Sequence, residues 1–195
     1  GGGMDVAPSD DTLIKVEHPM SLDPIGQMLA SVLAKKKAAG ATHCLIDIPL
    51  GKGAKVESYT KARMLKKKFQ KVGKAIGMNV RVQITDGSSP IGNGIGPALE
   101  ARDLLWTLTN DHRGSKRLLE KSINLAGKLL EQLGEKNGKK LAKHLIESGK
   151  AAQKFKEILR AQGLITDKAI EIDIGKHTCN VKSIRKGKIK HIDNR

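Results

Sequence analysis

Two apolar runs of strand length, residues 43–49 and 79–85, lie on either side of one long amphipathic segment, residues 58–76. In that segment Ala62, Leu65, Phe69, Val72 and Ile76 recur at helical spacing. Strand, helix and strand in this order close most readily as a parallel pair with a right-handed crossover. The first run is interrupted only by Asp47, which predicts a strand buried on both faces. Residues 12–16, Thr-Leu-Ile-Lys-Val, alternate enough to predict a further strand upstream. A helix is expected to open at Asp23-Pro24 and stop at Gly40, and another covers 98–108. The fold class is therefore α/β, a mostly parallel sheet flanked by helices, with strands near Leu13, Ile46 and Val82 as neighbours. Aromatic residues make up only 2% of the chain, so its core must be aliphatic.

Beyond His112-Arg113-Gly114 the pattern changes. Helices are predicted over 118–133, 141–147 and 151–161, separated by Gly134, Gly138 and Gly149. After them, Ile165, Ile170, Ile172, Ile174, Val181, Ile184, Ile189 and Ile192 predict short C-terminal β strands. This divides the chain into an α/β substrate-binding part (1–112), a helical segment of the same domain (113–163) and the β-rich start of a C-terminal region (164–195). No apolar run approaches the ~20 residues of a membrane span, and Gly1-Gly2-Gly3-Met4 has neither the basic start nor the apolar stretch expected of a signal peptide. Cys44 lies in an apolar stretch and reads as a buried, reduced thiol. A cytoplasmic protein without membrane partners is expected.

The net charge of +16 raises the question of an anionic partner. Most lysines fall on helices whose other face is apolar, which makes them a solvated surface. Tyr59, Phe69, Trp106 and Phe155 are not interleaved with the basic runs, so the stacking platforms of a single-stranded nucleic-acid binder are missing. These grounds speak against nucleic acid as a partner, and a basic nucleic-acid-binding domain stays as an alternative only.

Ligands of open α/β sheets gather at the carboxyl ends of the strands. The flexible glycine loops 51–55 and 86–96 fall there, although neither has the spacing of a known phosphate motif. On the helix between them and the N-terminus, Asp23, Gln27, Ser31 and Lys35 recur every four residues and so form one line. A carboxylate, an amide, a hydroxyl and an ammonium in line suit the edge of a polar heterocycle. The same residues also fit a plainer role, Asp23 as a helix cap and Lys35 as the start of the solvated run Lys35-Lys36-Lys37. The histidines lack metal-ligand spacing, and His43 with Asp47 forms no triad.

Three stretches carry a resemblance. Met20-Ser21-Leu22-Asp23-Pro24 running into Ala30-Ser31-Val32-Leu33-Ala34-Lys35-Lys36, then residues 42–56 with Ile48-Pro49-Leu50-Gly51-Lys52-Gly53-Ala54-Lys55, and finally residues 85–103 with Asp86-Gly87-Ser88-Ser89-Pro90 and Gly92-Asn93-Gly94-Ile95-Gly96-Pro97, resemble the archaeal-type thymidine phosphorylase and AMP phosphorylase family. The similarity runs from Gly2 to Ile192-Asp193-Asn194, and the chain resembles an internal piece of such a protein.

The resemblance implies phosphorolysis, in which phosphate attacks the anomeric carbon and releases a free base and a sugar 1-phosphate. The base departs as an anion, so the catalyst must protonate or neutralise it. By resemblance Asp23 is the proton donor of the AMP branch. Ser31 and Lys35 hydrogen-bond the base in thymidine phosphorylases, and Ser31 and Lys55 bind substrate in the nucleotide branch. Glu100 matches a carboxylate that helps bind a structural potassium ion in some relatives. No other cofactor is implied, with inorganic phosphate as co-substrate and a homo-oligomer as the expected full-length state. The family's phosphate-binding loop lies upstream of this region, so the piece alone is expected to be inactive. An arginine near the base has no clear counterpart, Lys15 and His18 being nearest. The reaction expected is cleavage of thymidine to thymine and 2-deoxyribose 1-phosphate, with cleavage of AMP to adenine and ribose 1,5-bisphosphate as the alternative.

Overall fold

A computed structural model describes residues 7–20, 22, 24–164, 166–190 and 192. Contacts divide the chain into two units, Gly1–Gly87 and Ser88–Arg195.

The first unit runs α1 (Pro8–Glu17), a 3₁₀ turn (His18–Met20), α2 (Ile25–Ala38), β1 (His43–Leu50), α3 (Tyr59–Ala75) and β2 (Asn79–Asp86). β1 and β2 pair in parallel, in register from His43 opposite Asn79 to Leu50 opposite Asp86. Ser58 caps α3 by accepting the Lys61 N–H at 3.2 Å. The core is aliphatic apart from Phe69: Leu29 and Leu33 of α2, Ile46 and Ile48 of β1, Leu65 of α3, Val80 and Val82 of β2. Cys44 is buried there, and burial pushes its thiol pKa up. α3 approaches β2 closely because residue 73 is glycine; a Cβ there would stand 2.3 Å from Cγ2 of Val80. The opposite side of α3 carries Lys61, Lys67, Lys68, Lys71 and Lys74, all exposed, as a solvated face requires.

Three expectations change in this unit. Residues 12–16 are not a strand but lie inside α1. Pro8 at its first turn, Asp10 and Asp11 near its positive end and Lys15 in its last turn are start and stop signals that outweigh the β-branched residues. Among the described residues the sheet consequently has two strands, not three. β1 buries Cys44, Ile46 and Ile48 fully while His43, Leu45 and Asp47 stay half-buried, so its two faces differ. α2 begins at Ile25, with Pro24 extended before it and its carbonyl accepting the Met28 N–H at 3.0 Å. Asp23 lies outside the described residues.

The second unit is helical: α4 (Pro97–Leu108), α5 (Lys116–Gln132), α6 (Gly138–Glu147) and α7 (Lys150–Ala161), then a 3₁₀ turn, Ala169–Glu171. α5 and α6 meet through glycine, since a Cβ on Gly138 would lie 2.1 Å from the Gly127 carbonyl oxygen. The expected short strands after 164 do not form among the described residues. Val181, Ile184 and Ile189 stand exposed there; β-branched residues specify a strand only when a neighbouring strand takes up its hydrogen bonds.

Candidate functional site

The polar line on α2 converges on a carboxylate from α1. Asp10 is only 7% exposed. Its Oδ2 accepts from the Ser31 hydroxyl at 2.9 Å and lies 2.8 Å from the Lys35 ammonium. Its Oδ1 accepts from the Gln27 amide at 3.3 Å. Lys35 also lies 3.3 Å from Oδ1 of Asp11. Three residues one helical turn apart thus reach one buried anion. The Lys35 ammonium holds the Asp10 carboxyl below the usual carboxylate range, against the opposing effect of burial, and Ser31 adds to the lowering. Asp10 in turn raises the Lys35 pKa. Both groups are therefore charged at neutral pH.

Beside this network lies a cleft of about 350 Å³ whose lining includes His18, Leu22, Gln27, Ser31 and Lys55. Its volume is at the lower end of the range for small-molecule sites. Lys35, facing Asp10 and Asp11, is not in that lining. A neighbouring cavity of about 330 Å³ shares Met28, Val32 and Lys55 and adds Asp47 and Pro49. Thr85 at the end of β2 donates to Oδ1 of Asp47 at 2.7 Å.

Lys55 reaches the cleft from a turn that is tied down, where the sequence predicts a flexible loop. Gly51 donates to the Val56 carbonyl at 3.2 Å and Ala54 to the Gly51 carbonyl at 3.1 Å. Gly53 takes φ +78°, open to glycine at little cost, and donates to Oε1 of Glu57 at 2.8 Å. Next to it the β1 and β2 ends press together: Gly87 donates to the Leu50 carbonyl at 2.9 Å, and a Cβ at 87 would sit 2.8 Å from that of Pro49. The structure thus brings Ser31 and Lys55, 24 positions apart, to one cleft.

In the second unit, Glu100 sits in the first turn of α4, where its Oε1 accepts from the Gly96 N–H at 3.0 Å. A helix N-terminus alone explains that contact. Among the described residues no three His, Cys, Asp or Glu side chains group as metal ligands. A second carboxylate in this region, Asp103, is 2% exposed. It accepts from the Asn93 N–H at 2.7 Å and the Ser115 N–H at 3.2 Å, joining the glycine loop to the start of α5.

Sequence reasoning missed Asp10, Asp11 and Asp103. A signal for the first two existed, an acidic pair in a first turn behind Pro8; what they pair with is a long-range fact that no spacing reveals. Among the described residues no helix is long and apolar enough to cross a membrane.

No family model matches the chain. Among curated proteins it is 45% identical to AMP phosphorylase 1 of Archaeoglobus fulgidus, 49% to AMP phosphorylase of Pyrococcus furiosus and 48% to AMP phosphorylase of Thermococcus kodakarensis. Each match covers 100% of this chain and 39% of the relative, so the chain spans about two fifths of the length of the curated relatives it matches.

Proposed function

The chain belongs to the thymidine phosphorylase and AMP phosphorylase family, and on that premise we propose that the protein it is part of cleaves a nucleoside monophosphate by phosphorolysis, AMP and phosphate giving adenine and ribose 1,5-bisphosphate. The C1′–N bond to the base breaks, a phosphate oxygen bonds C1′, and a proton goes to the departing base. The relatives' names favour AMP over the thymidine expected from the sequence. The observation that carries the nucleotide reading is the cleft that Ser31 and Lys55 share.

In this reading Gln27 and Ser31 meet the edge of the base, Asp23 gives the proton, and Lys35 stands behind Ser31 as the counter-charge of Asp10. Lys55, exposed on a tied turn, meets the 5′-phosphate as a point charge. A hydrogen bond to a charged group is worth about 1.5–3 kcal/mol, so Lys55→Ala in the full-length protein is expected to raise KM for AMP roughly 10- to 100-fold. Adenosine, which has no 5′-phosphate, is expected to be affected less than about twofold. Steady-state kinetics on the two substrates check this; an equal loss on both removes Lys55 from the 5′-phosphate and favours the plain nucleoside.

A further inference from the structure

The 17 residues of α3 include seven lysines and arginines and no carboxylate. The helices of the second unit are built otherwise. There α5, α6 and α7 each carry glutamate, and Lys143 pairs with Glu147 at 3.6 Å and Lys156 with Asp167 at 3.1 Å. None of the α3 cations forms an ion pair among the described residues. Arg63, Lys67, Lys71 and Lys74 follow one another at intervals of four, four and three, so they make one exposed stripe along the helix. Like charges at these spacings repel, and the bare stripe weakens its own helix. Just past the end of α3 the stripe gains a cation from α2, since the Lys37 ammonium lies 4.0 Å from where a Cβ on Gly77 would stand. At the other end Tyr59 is 56% exposed, with the Arg63 guanidinium 4.9 Å from its ring centroid.

We propose that this face of α3 binds a single strand of nucleic acid, the stripe taking successive backbone phosphates and Tyr59 stacking on a base. From Arg63 to Lys74 the stripe is about 16 Å long, a stretch along which a strand at duplex spacing passes about five phosphates. In the sequence Tyr59 stands ahead of the basic run. In the folded helix Arg63 lies one turn beyond it on the same side, which brings the aromatic into the basic face. An anionic membrane would need an apolar side to bury, and Leu65 and Phe69 of α3 are already in the core. An acidic peptide would have no base to set on the Tyr59 ring. None of these residues lines the cleft of Ser31 and Lys55, so the proposal stands apart from the reaction assigned there.

The test is binding of a fluorescent single-stranded RNA oligonucleotide to the full-length protein, read by anisotropy across a salt series. Neutralising about four phosphates of a single strand predicts a loss of about 50-fold in affinity between about 50 and 200 mM salt. Arg63→Gln, Lys67→Gln, Lys71→Gln and Lys74→Gln together keep the helix propensity. They are expected to weaken binding more than about tenfold at about 50 mM salt and to remove most of the salt dependence. Tyr59→Ala is expected to weaken the RNA complex about fivefold or more, and to leave a DNA duplex of the same length unaffected because its bases are already stacked. An unchanged circular dichroism spectrum and Tm separate lost binding from lost folding. RNA that does not bind overturns the proposal, as does an affinity indifferent to salt or to the four substitutions. Tighter binding of polyglutamate, or of vesicles of anionic lipid, than of RNA also overturns it.

Discussion

Full-length protein carrying Asp23→Asn is expected to lose about 10²- to 10⁴-fold in kcat for nucleotide phosphorolysis, with KM changed little. The base leaves as an anion unless a proton reaches it, and a group that delivers the proton in the transition state affects the rate more than the binding. By resemblance Asp23 is that group. Pro24 occupies the N-cap position of α2, and asparagine keeps the size and polarity of Asp23 while it has no carboxyl proton to give. A folded variant with unchanged Tm and a collapsed kcat identifies the acid. A variant with full kcat removes Asp23 from proton transfer.

The second large effect is on stability. Asp103→Ala is expected to destabilise the protein by roughly 2–5 kcal/mol, because it leaves two backbone N–H groups without acceptors, at about 1–3 kcal/mol each. Those groups belong to Asn93, in the glycine loop, and Ser115, which caps α5 by accepting the Leu118 N–H at 3.3 Å. The two carboxylate oxygens serve one N–H each, so Asp103→Asn sets an NH₂ against one of them and recovers only part of the loss. Gly92 belongs to the same arrangement: with φ +91°, a Cβ there would stand 2.7 Å from Oδ2 of Asp103. Urea denaturation followed by circular dichroism reads the change. A loss below about 0.5 kcal/mol, the range of ordinary surface substitutions, contradicts this account.

The central β-α-β unit is legible in the sequence because local signals and packing agree there. Ser58 caps, Ala62, Leu65 and Phe69 repeat at helical spacing, and β1 and β2 pair in the order the crossover rule demands. Legibility ends where a segment's identity depends on its neighbour. Residues 12–16 have strand-like composition, and only their place behind Pro8, Asp10 and Asp11 makes them helical. The C-terminal isoleucines have the same composition and no strand to pair with among the described residues. At the site, the four-residue spacing finds Asp23, Gln27, Ser31 and Lys35 as one line suited to the edge of a heterocycle, and the structure shows the last three reaching Asp10. That their partner is Asp10, as well as any ligand, follows from how α1 packs on α2, which is a tertiary contact. Ser31 and Lys55 likewise meet only because β1 and its closing turn carry the second back beside the first.

The most direct test is to incubate the full-length protein with inorganic phosphate and either AMP or thymidine, and to follow free base and sugar phosphate by chromatography. The account predicts adenine and ribose 1,5-bisphosphate in equal amounts from AMP, dependent on added phosphate, with thymidine cleaved far more slowly. Thymine release from thymidine with AMP left intact would contradict it, as would adenine release that needs no phosphate.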